Sequence, residues 1–453
     1  MNRFSLFLCY VLAVLVVSSC SIFQDDNDDD EVTGPSFPCE DGLAANTYPC
    51  SDIDLYAVVS PQDLGGFNLN DIWGWTDPST QRDYALVGLT DGVSFVDITN
   101  PNEPVVVGKL QESRLQGKTI IPQDSPEYAA CFVGIGESEY AKSITQGSVW
   151  RDHKVYDNHL YVVSDAQPHG MQVFDLTRLR GFNGDVMSFS EDVLFEEIRN
   201  AHNIAINEQT GFAYVLGATV NETCDTGGLF IIDVNTPKEP QFAGCYGDTT
   251  PPRRSANSAY IHDAQCVIYS GPDEEHAGKE VCFNSAERSL VITDVTNKAE
   301  PTTIGFQVSP QMYYSHQGWL TEDQRYFLMN DELDEINLGR TTKTYVFDVQ
   351  DLDEPVFVGF YEHNTESIDH NMYVRDEYVY ATNYISGLRL LEIEDLSNAE
   401  LSLAGFFDTE PRSFNAPNRE FEGAWSNYPF FDSGVVIVSD INRGLFILRP
   451  NTD

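Results

Sequence analysis

Leu290-Val291-Ile292-Thr293-Asp294-Val295-Thr296-Asn297 alternates apolar and β-branched residues up to an acid, then reaches residues that favour tight corners. Period-two patterning over so short a run, closed by Asp and Asn, reads as a buried strand entering a turn. The phrase recurs as Ser94-Phe95-Val96-Asp97-Ile98-Thr99-Asn100-Pro101, Gln172-Val173-Phe174-Asp175-Leu176-Thr177 and Phe230-Ile231-Ile232-Asp233-Val234-Asn235-Thr236-Pro237. It returns as Tyr345-Val346-Phe347-Asp348-Val349-Gln350-Asp351 and, with Glu replacing Asp, as Leu390-Leu391-Glu392-Ile393-Glu394-Asp395. Leu445-Phe446-Ile447-Leu448 is a degenerate last copy, which makes seven. Spacings between aligned acids run from 44 residues (Asp348 to Glu392) to 78 (Asp97 to Asp175), so insertions must sit in loops.

Each copy is flanked by further strands. Asp83-Tyr84-Ala85-Leu86-Val87-Gly88 and Tyr378-Val379-Tyr380-Ala381-Thr382 precede two of them, and Glu103-Pro104-Val105-Val106-Val107-Gly108 and Glu354-Pro355-Val356-Phe357-Val358-Gly359 follow. With another short apolar segment ahead, the unit is four strands with Gly, Asn, Asp and Pro at its turns, the pattern of a β-propeller blade. The expected fold is all-β: a seven-bladed propeller of four-stranded blades over residues 67–450, with a long insertion at about 111–147. The last copy leaves no room for a fourth strand, and the orphan segment Asp54-Leu55-Tyr56-Ala57-Val58-Val59 is placed to supply it. A ring closed this way has no bare edge.

These residues resemble the LVIVD-repeat propellers and, more closely, the choice-of-anchor B family of bacterial secreted proteins. The resemblance rests on the repeats and on Tyr48-Pro49-Cys50, Asn70-Asp71-Ile72-Trp73-Gly74-Trp75, Trp150-Arg151-Asp152-His153-Lys154-Val155, His169-Gly170-Met171, Gly271-Pro272-Asp273, His316-Gln317-Gly318-Trp319-Leu320 and Asn330-Asp331-Glu332-Leu333-Asp334-Glu335. It spans roughly residues 39–450 and implies an extracellular propeller, with no reaction or catalytic residue to carry over. The family's surface anchor often lies at the carboxyl end; here the expected anchor is at the amino end.

The address is read from the first residues. Met1-Asn2-Arg3 and the apolar run Phe4 to Val17 form a signal peptide over residues 1–19. Val17-Ser18-Ser19-Cys20 resembles a bacterial lipobox, with Cys20 the lipidated residue; ordinary secretion is the alternative. An acidic tether follows over residues 20–38, and its run Gln24 to Glu31 also resembles the surface-export signal of Bacteroidetes lipoproteins, the alternative being a plain spacer. The expected location is the outer face of the outer membrane, with secreted or periplasmic as the alternative. Of nine cysteines, Cys9 and Cys20 belong to the leader. Six others form the short-range pairs Cys39 with Cys50, Cys224 with Cys245, and Cys266 with Cys282, leaving Cys131 as a buried thiol. Residues 39–66 are then a disulfide loop plus the closing strand.

Twenty-six basic against 71 acidic residues give a net charge of −45, which repels phosphate backbones and anionic lipids alike. Nucleic-acid binding is excluded, and membrane association is confined to the lipid. No nucleophile elbow, zinc-protease helix, phosphate loop or dinucleotide fingerprint occurs, so no catalytic residue is assigned.

The main constellation is a histidine near the start of five successive blades: His153, His202, His262, His316 and His370. Repetition favours a structural use, each ring pinning its blade to a carbonyl or turn carboxylate. Converging on the axis with Asp152, Asp263 and Asp369, they could instead hold a ligand or a divalent metal, or serve acid–base work. Asp331, Glu332, Asp334 and Glu335 are a candidate calcium loop, although EF-hand spacing is absent and a solvated loop is the simpler reading. The repeated acids suit turn capping. Trp73, Trp75, Trp319 and Trp425 could line a sugar-stacking surface or pack between blades. The function expected is a non-enzymatic binding or interaction module, monomeric, with an extracellular protein or glycan as partner. The alternative is a hydrolase or lyase acting on carbohydrate or lactone-like substrates with a metal in the channel.

Overall fold

The computed structural model describes residues 34–113, 148–166, 168–220, 224, 227–247, 260–412 and 419–452. Cys20, the acidic run, Cys131 and nearly all of the 111–147 insertion lie outside them. Seven sheets, each built on four antiparallel strands, form the blades of a β-propeller, and Met187–Phe189 adds a fifth, parallel strand to the first. Their inner strands are Leu69–Thr76 (blade 1), Arg151–Tyr156 (blade 2), Asn203–Asn207 (blade 3), Asp263–Ile268 (blade 4), Ser315–Leu320 (blade 5), Met372–Arg375 (blade 6) and Ala424–Tyr428 (blade 7). Blade 7 takes its outer strand from the amino-terminal side, where Ile53–Val59 pairs antiparallel with Gly444–Pro450. The expected closure therefore holds. Among the described residues no helix is long and apolar enough to cross a membrane.

The repeated phrase is the third strand of each blade, and its alternation has a direct cause. Leu290 and Ile292 pack with Phe327, Tyr345 and Phe347 of blade 5, whereas Val291 packs with Tyr214 and Ile231 of blade 3. Both faces of the strand are buried, one against each neighbour. Seven such clusters fill the seven gaps between blades. No strand face is left to solvent except at the rim, which is why consecutive positions of the phrase ahead of its acid are mostly apolar or β-branched.

The acid ending the phrase caps the turn after it. Asp97, Asp175, Asp233, Asp294 and Asp348 each accept a bond from the backbone N–H two residues on, at 2.9–3.1 Å. In blade 6 the capping acid is Asp395, which accepts from Ser397 N at 2.9 Å, rather than the aligned Glu392. An irregularity between Ile393 and Asp395 shifts the register there and moves the acid along the strand.

The capped turn of one blade seats on a glycine of the blade before it. A Cβ on Gly244 would lie 1.7 Å from Lys298 O, and one on Gly305 would lie 2.2 Å from Leu352 O. Both glycines sit where the outer pair of strands shifts register. The three expected disulfides, Cys39–Cys50, Cys224–Cys245 and Cys266–Cys282, are all formed. Bonds of this kind persist in an oxidising compartment. The first ties a small hairpin, Leu43–Ala44 with Tyr48–Ser51, which lengthens blade 6 by pairing with its outer strand.

The glycine contact predicts an asymmetry that urea unfolding can measure. Gly305→Ala should lose about 1–3 kcal/mol through overpacking. Gly181→Ala, whose Cβ would meet nothing within 4 Å, should stay within about 0.5 kcal/mol of wild type. Equal effects would show that the turn does not seat on the glycine.

Candidate functional site

Inner strands of neighbouring blades belong to separate sheets, so side chains stitch them together at the axis. Asn203 Nδ2 donates to His262 O at 2.8 Å, and Gln317 exchanges two 2.9 Å bonds with the backbone of Met372. The histidines sit at the first positions of these strands or just before them.

Four of the five come together. Ring centroids are 4.6 Å apart for His202 and His262, 4.1 Å for His262 and His316, and 4.5 Å for His316 and His370. They surround a space of about 10 Å³ shared with Trp150, Arg151, Asn203, Asn371 and Trp425, the room of one water-sized body. His153 is not among them: its Nε2 bonds Leu86 O at 2.8 Å, tying blade 2 to blade 1, and burial pushes its pKa down to about 4.

The other rings are pinned as well, mostly through Nδ1. His262 Nδ1 donates to His316 O at 2.9 Å, and His370 Nδ1 donates to Trp425 O at 2.5 Å. Because a carbonyl only accepts, these rings carry their hydrogen on Nδ1 and keep the Nε2 lone pair free. His202 Nδ1 meets the Asp165 carboxylate at 2.7 Å. Burial disfavours its charged form, but Asp165 outweighs this and raises its pKa. Burial pushes His370 down to about 3 and His262 and His316 well below the usual imidazole value. Three of the four axial imidazoles are thus held neutral, while Asp165 favours the charged form of His202.

The acidic loop divides in two. Glu332 turns towards the histidines: its Oε2 lies 3.6 Å from His316 Nε2, its Oε1 lies 3.7 Å from His370 Nε2, and Tyr384 OH donates to Oε1 at 2.8 Å. Burial pushes its pKa up to about 7. Asp331, Asp334 and Glu335 turn away and are buried near Asp369, so they do not form a solvated loop. Burial and then Asp369 and Asp334 push Glu335 up to about 12; burial and Asp334 push Asp331 to about 8. Asp331 is occupied by the backbone N–H groups of Tyr313, Tyr314 and Leu333. Glu335 is 0% exposed and neither carboxyl oxygen has a hydrogen-bond partner.

Later residues of the inner strands build a second, larger space of about 450 Å³. One wall is aromatic. Phe430 touches Trp73, Trp319, Tyr373 and Tyr428, drawn from four blades, at centroid distances of 5.3–6.4 Å. Lys154, Asp263, Gln265 and Gln317 add polar groups to the same lining. Lys154 lies over the Trp73 ring at 4.6 Å and pairs with Asp152 at 2.6 Å. The tryptophans therefore part company: Trp73 and Trp319 line this cleft, Trp425 packs on His370 at 4.8 Å, and Trp75 stacks on Tyr84 between blades 1 and 2. A further group on the rim, Asp273, His276 and Asp353, is already satisfied: His276 Nε2 meets Asp353 at 2.9 Å, and Lys279 Nζ meets its Nδ1 at 3.0 Å.

Sequence reasoning missed Asp165, Tyr384 and Phe430, none of which sits at a repeating position. Fold and site together define a β-propeller whose axis carries an imidazole–carboxylate cluster, with a separate aromatic cleft. No protein-family profile matches the chain, and no curated protein does. Among solved structures, the crystal structure of a protein from Lactobacillus plantarum aligns with 82% of this chain and 87% of its own at 11% identity, with a TM-score of 0.47. A likeness that loose carries no argument here.

Glu335 generates a pH prediction. Its pKa is raised in the fold, so the native state keeps a proton that the unfolded chain releases near pH 4.5. Its contribution to stability is therefore intact below that value and is lost progressively as pH rises, by up to ~1.4 kcal/mol per unit. Glu335→Gln should match wild type near pH 4.5 and exceed it by on the order of 1–3 kcal/mol at pH 7.5 in urea unfolding. A difference that does not grow with pH would refute this account.

Proposed function

We propose that this protein is a non-enzymatic binding module, carried on the bacterial surface by lipid on Cys20, which takes a neutral glycan in its aromatic cleft. The observation that carries the reading is the cleft of about 450 Å³, whose lining combines the aromatic rings of Phe430 and Trp319 with the polar groups of Lys154, Asp263, Gln265 and Gln317. Its volume suits a small ligand. A pyranose ring is mixed in the same way, with an apolar C–H face that packs on aromatic rings and hydroxyls that need donors and acceptors. The net charge of −45 favours a neutral sugar over a uronic or sulfated one. The lipobox, the acidic run behind it and the disulfides support the extracellular address.

Calorimetric titration of the full chain with cellohexaose, xylohexaose and mannohexaose tests the reading. Saturable binding to at least one is expected, weakened at least tenfold by Trp319→Ala or Phe430→Ala, a loss of ~1.4 kcal/mol. Binding to none of the three, or undiminished binding by both variants, would sink it.

A further inference from the structure

We infer that the propeller axis is a divalent transition-metal site, ligated by His262, His316 and Glu332, with His370 as the fourth ligand. Ligand atoms of His262, His316 and Glu332 lie within 4.8 Å of one another. The inference is independent of the glycan reading, because these residues lie outside the aromatic cleft.

Three observations carry it. The first is spacing. The gaps of 3.6 Å from Glu332 Oε2 to His316 Nε2 and 3.7 Å from Glu332 Oε1 to His370 Nε2 exceed a hydrogen bond. They lie close to the edge of a tetrahedron with bonds of 2.0–2.1 Å, which is about 3.4 Å. Two imidazoles and a carboxylate that wanted only each other would close to about 2.8 Å.

The second is orientation. The Nδ1 hydrogens of His262 and His370 are taken up by backbone carbonyls, which fixes the tautomer and leaves each Nε2 as a lone-pair donor. Metal-binding imidazoles are held this way, through the ring nitrogen that does not bind the ion. Pinning and ligation are therefore compatible uses of one ring. His316 is 2% exposed, and its Nδ1 has no hydrogen-bond partner. Tyr384 orients the carboxylate from behind by donating to Glu332 Oε1.

The third is room. The space among the four rings, which Arg151 also lines and Glu332 approaches only from beyond His316 and His370, is about 10 Å³, enough for one ion or water and too small for an organic ligand. Three nitrogens and one oxygen suit zinc and its first-row neighbours, and disfavour calcium and magnesium, which take oxygen shells. The ion would join blade 4 to blades 5 and 6, whose strands belong to separate sheets.

The test uses the full chain stripped with chelator and titrated with Zn²⁺ and, separately, Co²⁺. Bound metal is counted by elemental analysis, and the Co²⁺ form is read by its visible d–d absorption. One equivalent per chain is expected, with a tetrahedral Co²⁺ spectrum. Glu332→Gln, a near-isosteric change that should preserve the fold by circular dichroism, should weaken binding at least tenfold. Glu335→Gln, three residues on but facing the carboxylate cluster, should bind as wild type does. A folded wild type that takes up neither ion overturns the inference. So does full affinity in Glu332→Gln, or loss of metal in Glu335→Gln alone, which would move the ion to the neighbouring carboxylates.

Discussion

The two-sided burial of the third strand in each blade is the constraint from which the rest follows. A strand with one buried face would tolerate polar alternation, but Leu290, Val291 and Ile292 face blade 5, blade 3 and blade 5 in turn, and none meets water. Each blade is thus stable only between two neighbours. The ring must close on itself or leave two such faces bare, each a large exposed apolar patch. Ile53–Val59 completes blade 7 in sheet with Gly444–Pro450 and fastens the beginning of the domain to its end. The glycines under the capped turns, Gly244 and Gly305 among them, let neighbouring blades approach far enough for the clusters to fill.

Closing a ring of sheets has a cost at the centre. Sheets that pack face to face leave their inner edges unpaired, with backbone groups directed at a narrow axis that holds little water. The chain answers with side chains: Asn203, Gln317, Asn371 and the histidines carry bonds from blade to blade. Imidazole suits this place because it is flat, neutral when buried, and has two nitrogens on opposite sides. One can satisfy a carbonyl of the next blade while the other faces the axis. Asn and Gln also bridge, but a carbonyl oxygen is a poorer ligand for a borderline metal than an imidazole nitrogen.

What could be read from the sequence was whatever repeats. Period, blade number, the closing strand and the three disulfides all follow from local patterns or short spacings, and one-dimensional order preserves these. The histidines were visible for the same reason, but their grouping was not. In blade 2 the place that the other histidines hold at the axis belongs to Arg151, and His153, two residues further along the strand, bonds Leu86 O instead. Glu332 shows the limit from the other side. It stands in sequence among Asp331, Asp334 and Glu335, and the short helix Asp334–Leu338 turns the last two away, so consecutive acids serve different environments. In blade 6 a single register irregularity passed the capping role from Glu392 to Asp395, which alignment of acids alone could not register. The cleft was least legible, since Phe430, Trp319, Tyr373 and Trp73 come from four blades and share no motif.

Glu332 stands between two electrostatic regimes, and this clarifies how the axis and the carboxylate cluster relate. On one side lie His262, His316 and His370, which burial keeps neutral; on the other lie Asp331, Asp334, Glu335 and Asp369, whose burial and mutual repulsion raise their pKa values. A buried carboxylate lowers its free energy by binding a proton or a cation. Glu335, in a pocket without a ring nitrogen nearby, is best served by a proton. Glu332 accepts a hydrogen bond from Tyr384 and faces the Nε2 atoms of His316 and His370, the second of which presents a lone pair because its ring hydrogen lies on Nδ1. A proton placed on Glu332 satisfies at most one of them, whereas a divalent ion satisfies the carboxylate and both rings at once. The difference between the two acids lies in their neighbours and not in their chemistry, and those neighbours are supplied by the geometry of the closed ring.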